Sequence, residues 1–272
     1  MKAGDGVYAA VVLDLDGTLL NSEKKISERN FASVLECHRR GVKIIFATAR
    51  PPRTVRILLP DEMRDIGSFI YYNGALVVSA ELGITLHEAI PSDLAGEVID
   101  FCLGRHAGLG EEAEWDVGVE ALDEWYGLKE PNFPVPIGEE NRYHVTTLTK
   151  LKMLEATKIL LAGPAHVEQL RETFGHRLNI IVTDQGQLVQ IMAGNASKER
   201  GLARLLDGFG IPAERVIAFG DDHNDIGLFK VCGWPVAMGN AVEELKRLAR
   251  SVTETNDRDG VAVELERLLR CE

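Results

Sequence analysis

The residues Asp14-Leu15-Asp16-Gly17-Thr18-Leu19 follow directly on the apolar run Tyr8 to Leu13 and set two carboxylates where a buried strand ends. A short, continuous apolar run bounded by turn residues reads as a strand covered on both faces. In open α/β sheets, ligands sit outside the carboxyl ends of such strands. Positions two apart in a strand point the same way, so Asp14 and Asp16 would face one site. Paired carboxylates there attract a divalent cation or hold their pKa values apart. A calcium loop of the EF-hand kind starting at Asp14 would need Gly at its sixth position and Glu at its twelfth. The chain has Leu19 and Lys25 instead. A plain strand-to-turn junction also uses Asp and Gly, so the rest of the chain must decide.

It offers two more clusters of the same kind. Val42 to Ala47 is nearly all apolar and ends at Thr48-Ala49-Arg50-Pro51-Pro52, whose prolines bar further sheet pairing and suit the first turn of a helix. Val216 to Phe219 is a third buried run, followed by Gly220-Asp221-Asp222-His223-Asn224-Asp225. Lys198 opens a helix just after Ser197, an N-cap residue, where an ammonium and the positive helix end can both serve an anion. Taken alone, such a lysine is an ordinary solvated side chain. Acidic turns after strands are common singly, but three clusters at the same end of three strands, joined by that lysine, read as an active site.

The elements that must position these residues follow from periodicity. Ser27 to Arg40 carries Phe31, Val34, Leu35 and His38 at helical spacing before Gly41, which gives a strand-helix-strand unit with the runs on either side. Phe69 to Tyr72 is another short strand, and Asn73-Gly74 followed by Ala75 to Val78 signals a hairpin. Ser92 to Arg105 looks helical, Glu111 to Tyr126 is acidic and holds Trp115 and Trp125, and Pro131, Pro134 and Pro136 punctuate an irregular stretch. Then Thr157 to Leu161, Pro164 to Phe174, Leu178 to Thr183 and Gln187 to Met192 read as β-α-β-β, with a turn at Asp184-Gln185-Gly186. Helices from Ser197, Val242 and Val261 and a strand at Trp234 to Ala237 complete the chain. The expected organisation is a discontinuous core of residues 1–82 and 190–272, interrupted by an inserted α/β domain over residues 83–189.

Composition narrows the function. The 272 residues are 45% hydrophobic, ample for a core, and carry a formal charge of −12. Nucleic acid and anionic membrane surfaces need a basic footprint, so neither is an expected partner. An anionic substrate would be repelled at long range, and a bound metal with a few placed basic residues must outweigh that field. Cys37, Cys102, Cys232 and Cys271 show neither paired nor zinc-ligand spacing. Without a signal segment or an apolar stretch of roughly 20 residues, the chain reads as cytoplasmic and soluble. Its oligomeric state is not legible.

At these residues the chain resembles the haloacid dehalogenase superfamily, in the Cof-type branch of phosphatases with a large α/β cap. The family's first motif, Asp-x-Asp-Gly-Thr, is matched at Asp14 to Thr18; the second, a strand ending in Thr or Ser, at Thr48; the third, a lysine, at Lys198. The fourth, Gly-Asp-x-x-Asn-Asp, is matched at Gly220 to Asp225, and Met238 to Ala241 with Asp259-Gly260-Val261 resemble further stretches of the branch. One departure is Ala49, where relatives have Gly; an amide contact to phosphate survives it provided Ala49 is not needed at positive φ.

The resemblance implies a Rossmann-like parallel-sheet core with an inserted cap, and a Mg²⁺-dependent phosphatase acting on a small phosphomonoester such as a sugar phosphate. It makes Asp14 the nucleophile that becomes an aspartyl-phosphate. It makes Asp16 the acid and base at the leaving group, a role that demands a pKa above the roughly 3.9 of a free Asp. Asp14, the Asp16 carbonyl and Asp221 would bind the metal, with Asp225 supporting it. Thr48, Ala49, Lys198 and Asn224 would hold the phosphate; Arg50 either adds charge there or packs on the surface. Asn73 is a turn residue or a substrate contact. Two other readings stay open: a phosphosugar mutase of the phosphomannomutase type, and a non-catalytic metabolite-binding protein on the same fold.

Overall fold

A computed structural model describes residues 8–104, 115–130, 143–163, 167–183 and 188–270. The proline-punctuated stretch and the Asp184-Gln185-Gly186 turn lie outside the described residues. The chain forms two compact units, one of Met1–Arg50, Val55–Thr85 and Ser197–Glu272, the other of Pro51–Thr54 and Leu86–Ala196.

The first apolar run becomes β1 (Ala10–Leu13), buried throughout. Ser27 caps α1 (Glu28–Arg39) by accepting from the Asn30 N–H, and Gly41 at φ 86° turns the chain into β2 (Lys43–Ala47). The prolines start α2 (Pro52–Leu58), and α3 (Asp61–Ile66) leads into β3 (Gly67–Tyr71). β3 and β4 (Leu76–Ser79) form the expected hairpin, with Tyr71 opposite Leu76. Its connection is a 3₁₀ turn over Tyr72–Gly74, so the strand ends at Tyr71. β5 (Ile84–His87) follows.

The second unit contains α4 (Ser92–Cys102), β6 (Asp116–Ala121), β7 (Glu124–Gly127), β8 (Tyr143–Val145), α5 (Leu148–Lys152), β9 (Lys158–Ala162), α6 (Val167–Phe174), β10 (Leu178–Thr183) and β11 (Leu188–Ala193). Its six strands run in the order β10-β11-β9-β6-β7-β8. Alternate residues Val117, Val119, Ile159, Leu161, Val189 and Ile191 are buried on one face. On the other, Glu120 takes Lys158 at 2.8 Å and Arg53 at 2.5 Å; buried charge is tolerable when paired in this way. Because β11 pairs along its length with β10, the chain re-enters the first unit at Ser197 rather than at residue 190.

There α7 (Lys198–Phe209) begins, capped by Ser197 and closed by Gly210 at φ 65°. β12 (Val216–Gly220), α8 (Ile226–Val231), β13 (Trp234–Ala237), α9 (Glu243–Leu248), β14 (Ser251–Val252) and α10 (Gly260–Arg270) follow. The first sheet has the order β14-β13-β12-β1-β2-β3-β4-β5. Neighbours from β14 to β3 are parallel, which is the expected α/β architecture. Strand order reverses beside β1, and such reversals open a crevice at the carboxyl ends of the strands. Leu13 lies opposite both Phe46 and Phe219, so the polar residues after β1, β2 and β12 emerge at one edge of the sheet. Among the described residues no helix is long and apolar enough to cross a membrane.

Candidate active site

Lys198 is the centre of this edge. Its side chain is fully buried, and Nζ donates to Asp14 Oδ1 at 2.6 Å and to Asp225 Oδ1 at 2.7 Å. The Ser197 cap fixes where α7 starts and so where the ammonium enters. Asp225, itself wholly buried, uses Oδ2 to accept the backbone N–H groups of Asp221 and Asp222 at 3.1 and 3.4 Å. That carboxylate therefore folds the loop after β12 around itself. Asp221 stands beside it and accepts from the Thr18 hydroxyl at 2.9 Å. Gly17, at φ 76°, lets the two loops close: a Cβ there would lie 2.2 Å from Asp221 Oδ2.

Asp14, Asp221 and Asp225 each bring a carboxylate oxygen within 4.8 Å of the others. Burial pushes the Asp14 carboxyl well above its ordinary pKa, with Asp225 and Asp221 adding to the effect against Lys198. Burial, then the charge of Asp225, pushes Asp221 up to about 7. Lys198 is shifted the other way for its type: burial lowers it, but Asp14 and Asp225 outweigh burial and hold it charged. Three crowded carboxylates facing one ammonium are an all-oxygen donor set with anionic excess, which fits a hard divalent cation such as Mg²⁺.

Asp16 departs from expectation. Its half-exposed carboxylate is gripped by Arg50, Nε to Oδ2 at 2.5 Å and Nη2 to Oδ1 at 2.7 Å, and by Lys24 Nζ at 2.7 Å. Burial would raise its pKa, but the hydrogen bonds and charges of Arg50 and Lys24 outweigh burial and hold it below the ordinary value. The raised pKa that an acid role demands is thus absent from this arrangement, because the residues next to Asp16 are cations. Arg50 faces the site rather than packing on the surface. Lys24 was not among the expected residues; it reaches Asp16 from a loop where it takes φ 60°, and nothing in its spacing signals this.

The remaining residues converge from three directions. Thr48 is buried, and its Oγ1 accepts the Arg50 N–H at 3.1 Å, shaping the loop after β2. Ala49 is not among the positive-φ residues, so the exchange of Gly for Ala puts no backbone strain there. Asn224 donates through Nδ2 to Asn73 Oδ1 at 3.0 Å, which brings Asn73 to the same edge. Asn240 closes the far side by donating to the Gly17 carbonyl at 2.8 Å. His223 is exposed, 3.5 Å from Glu244. Trp115 and Trp125 are buried in the second unit.

A family model described as haloacid dehalogenase-like hydrolase matches residues 11–265. The chain is 26% identical over 262 residues to 5-amino-6-(5-phospho-D-ribitylamino)uracil phosphatase YitU of Bacillus subtilis, covering 93% of this chain and 94% of the relative. It is 27% identical over 297 residues to the like-named phosphatase YwtE of the same organism, covering 95% and 97%. A haloacid dehalogenase-like hydrolase from Bacteroides thetaiotaomicron superposes with a TM-score of 0.82 at 27% identity, over 96% of this chain and 99% of that one. With the motif residues gathered at one sheet edge and the match running nearly end to end, the chain belongs to the haloacid dehalogenase-like hydrolases.

Proposed function

We propose that this protein is a Mg²⁺-dependent phosphatase that hydrolyses a small phosphomonoester through an aspartyl-phosphate on Asp14. The observation that carries the reading is the buried contact of Lys198 with Asp14 and Asp225 beside Asp221. It holds a carboxylate oxygen next to a fixed cation at the carboxyl edge of a parallel sheet. The relatives' printed phosphatase names support the reaction class.

In this reading an Asp14 oxygen attacks phosphorus, the ester P–O bond breaks, and the departing alkoxide takes a proton from Asp16. Water, deprotonated by Asp16, then attacks the same phosphorus, releasing orthophosphate and restoring Asp14. Splitting one displacement into two lowers each barrier. Thr48, Lys198, Asn224 and the Ala49 N–H hold the phosphoryl oxygens. Asp14, Asp221 and the Asp16 carbonyl, with Asp225 in support, would hold Mg²⁺, which when bound supplies charge neutralisation between nucleophile and phosphate. Asp16 must carry a proton when the alkoxide leaves, so its bonds to Arg50 and Lys24 open before that step, and both cations are then available to the incoming anion. The inserted segment is read as the cap that chooses the leaving group, and the protein as cytoplasmic.

The test is orthophosphate release with Mg²⁺ from sugar phosphates, nucleotides, phosphoglycolate, pyridoxal phosphate, flavin mononucleotide and a phosphorylated ribitylaminouracil. At least one should be hydrolysed without isomer formation. Asp14→Asn should lower kcat by about a thousandfold or more while the protein still folds. A folded Asp14→Asn protein with near-normal turnover would remove the nucleophile; isomer in place of orthophosphate would favour the mutase.

A further inference from the structure

Tyr72, Asn73 and Gly74 take φ of 52°, 52° and 103°, the one run of three successive positive-φ residues among those described. Left-handed backbone is unfavourable for residues with a Cβ, more so for a tyrosine than for an asparagine. Something must hold this turn, and three of its contacts are with the loops and helix cap of the site. The Tyr72 N–H donates to the Arg50 carbonyl at 3.3 Å and the Asn73 N–H to the Thr48 carbonyl at 2.9 Å. Gly74 presses on the α7 cap so closely that a Cβ would lie 2.1 Å from the Ser197 carbonyl oxygen.

The Asn73 side chain is 2% exposed. A turn asparagine serving only its own loop would bond locally or face water, yet this Oδ1 is occupied by Asn224, 151 residues away. That bond fixes the amide so that Nδ2 is turned elsewhere, and among the described residues Nδ2 has no acceptor. Buried donors left without an acceptor are costly and uncommon. Asn73 meets the Thr48 carbonyl through its own N–H and the Asn224 amide through Oδ1, and Gly74 beside it meets the start of α7. A buried donor lacking an acceptor is complemented by an oxyanion, which offers acceptors alone.

We propose that Asn73 is a substrate-binding residue, its Nδ2 donating to an oxygen of the phosphoryl group while its Oδ1 holds the Asn224 amide beside it. The assignment rests on reading the site as a phosphoryl site. The strained turn then acts as a keystone, carrying one side chain to the point where the loops after β2 and β12 and the cap of α7 meet.

Calorimetric titration of orthophosphate, with Mg²⁺ present, into wild-type, Asn73→Gly and Asn73→Asp proteins tests it. Glycine keeps the left-handed turn and deletes the amide; aspartate keeps an acceptor for Asn224 and deletes the donor. Both should bind orthophosphate at least ten- to a hundredfold more weakly, the factor for one hydrogen bond to a charged acceptor, while each still unfolds in one cooperative transition. As a readout on the unmutated protein, the Asn73 side-chain ¹⁵N–H₂ resonance should shift on adding orthophosphate. Wild-type affinity in Asn73→Asp would reduce Asn73 to a positioner of Asn224 and overturn the proposal, as would a silent resonance or a wild-type protein that binds no orthophosphate. If the wild type hydrolyses monoesters while both variants bind phosphate normally, only the Asn73 assignment fails. If no monoester is hydrolysed, the phosphatase reading fails, and the titration still decides the anion contact.

Discussion

Asp14 and Asp16 stand two residues apart and meet opposite surroundings. Asp14 is buried with two other carboxylates against one ammonium; Asp16 is half exposed between two cations. Their proton affinities are driven apart, upward at Asp14 and downward at Asp16. Asp221, pushed up to about 7 by burial and by Asp225, makes this measurable. A carboxyl whose folded pKa lies above its unfolded value contributes stability that is complete below the unfolded pKa near 3.9 and is lost as pH rises through about 7. Cation binding runs the other way, because its ligands must be ionised. The gain in melting temperature on adding Mg²⁺ should therefore grow from pH 5 to pH 8 and vanish in Asp221→Asn. A gain that is larger at pH 5 would contradict the site.

At the scale of elements, α7 does the positioning. Gly201 in its first turns costs the helix about 1 kcal/mol of propensity relative to alanine, but a Cβ there would lie 2.8 Å from Ile70 Cγ2 and 3.1 Å from Val77 Cγ2. The missing side chain lets α7 lie close on β3 and β4, which sets the depth of Lys198. Gly201→Val should overpack that contact, cost about 1–3 kcal/mol in urea unfolding and lower kcat by displacing Lys198; a variant with unchanged stability and kcat would show that the contact is slack. The strands that carry the site were legible because β1, β2 and β12 are apolar, save Lys43 at the start of β2, and end in polar clusters. β6 was not, since Asp116, Gly118 and Glu120 are residue types depleted in strands, and Glu120 is tolerable only with Lys158 and Arg53 beside it. Lys24 and the grip of Arg50 on Asp16 were equally hidden, because ion pairs formed across loops leave no periodic trace. Asn73 read first as a turn residue, which it is; its buried, occupied carbonyl emerges only from the fold.

The whole molecule brings Asp14 to a lysine 184 residues away by returning the chain to the first sheet after a long excursion. That return was readable from the repeated pattern of apolar run and polar cluster. The exact crossing point was not, because β11 is as apolar as a core strand. Net charge poses a problem at this scale. At −12 the protein repels an anion from afar, while Lys198, Arg50 and Lys24 attract one nearby. Raising ionic strength from about 0.01 to 0.1 M shortens the screening length from roughly 30 to 10 Å, which removes the distant repulsion before it touches the close contacts. KM for a phosphomonoester should fall by about two- to threefold over that range. A rise would mean that the local cations already dominate at long range.

Stopping the enzyme in acid during turnover of a ³²P-labelled substrate and mapping the label by peptide decides whether Asp14 is the nucleophile. One labelled peptide should appear, the one containing Asp14, with the label lost on mild alkaline treatment as an acyl phosphate requires. Label on another side chain, or none while hydrolysis proceeds, would contradict that assignment.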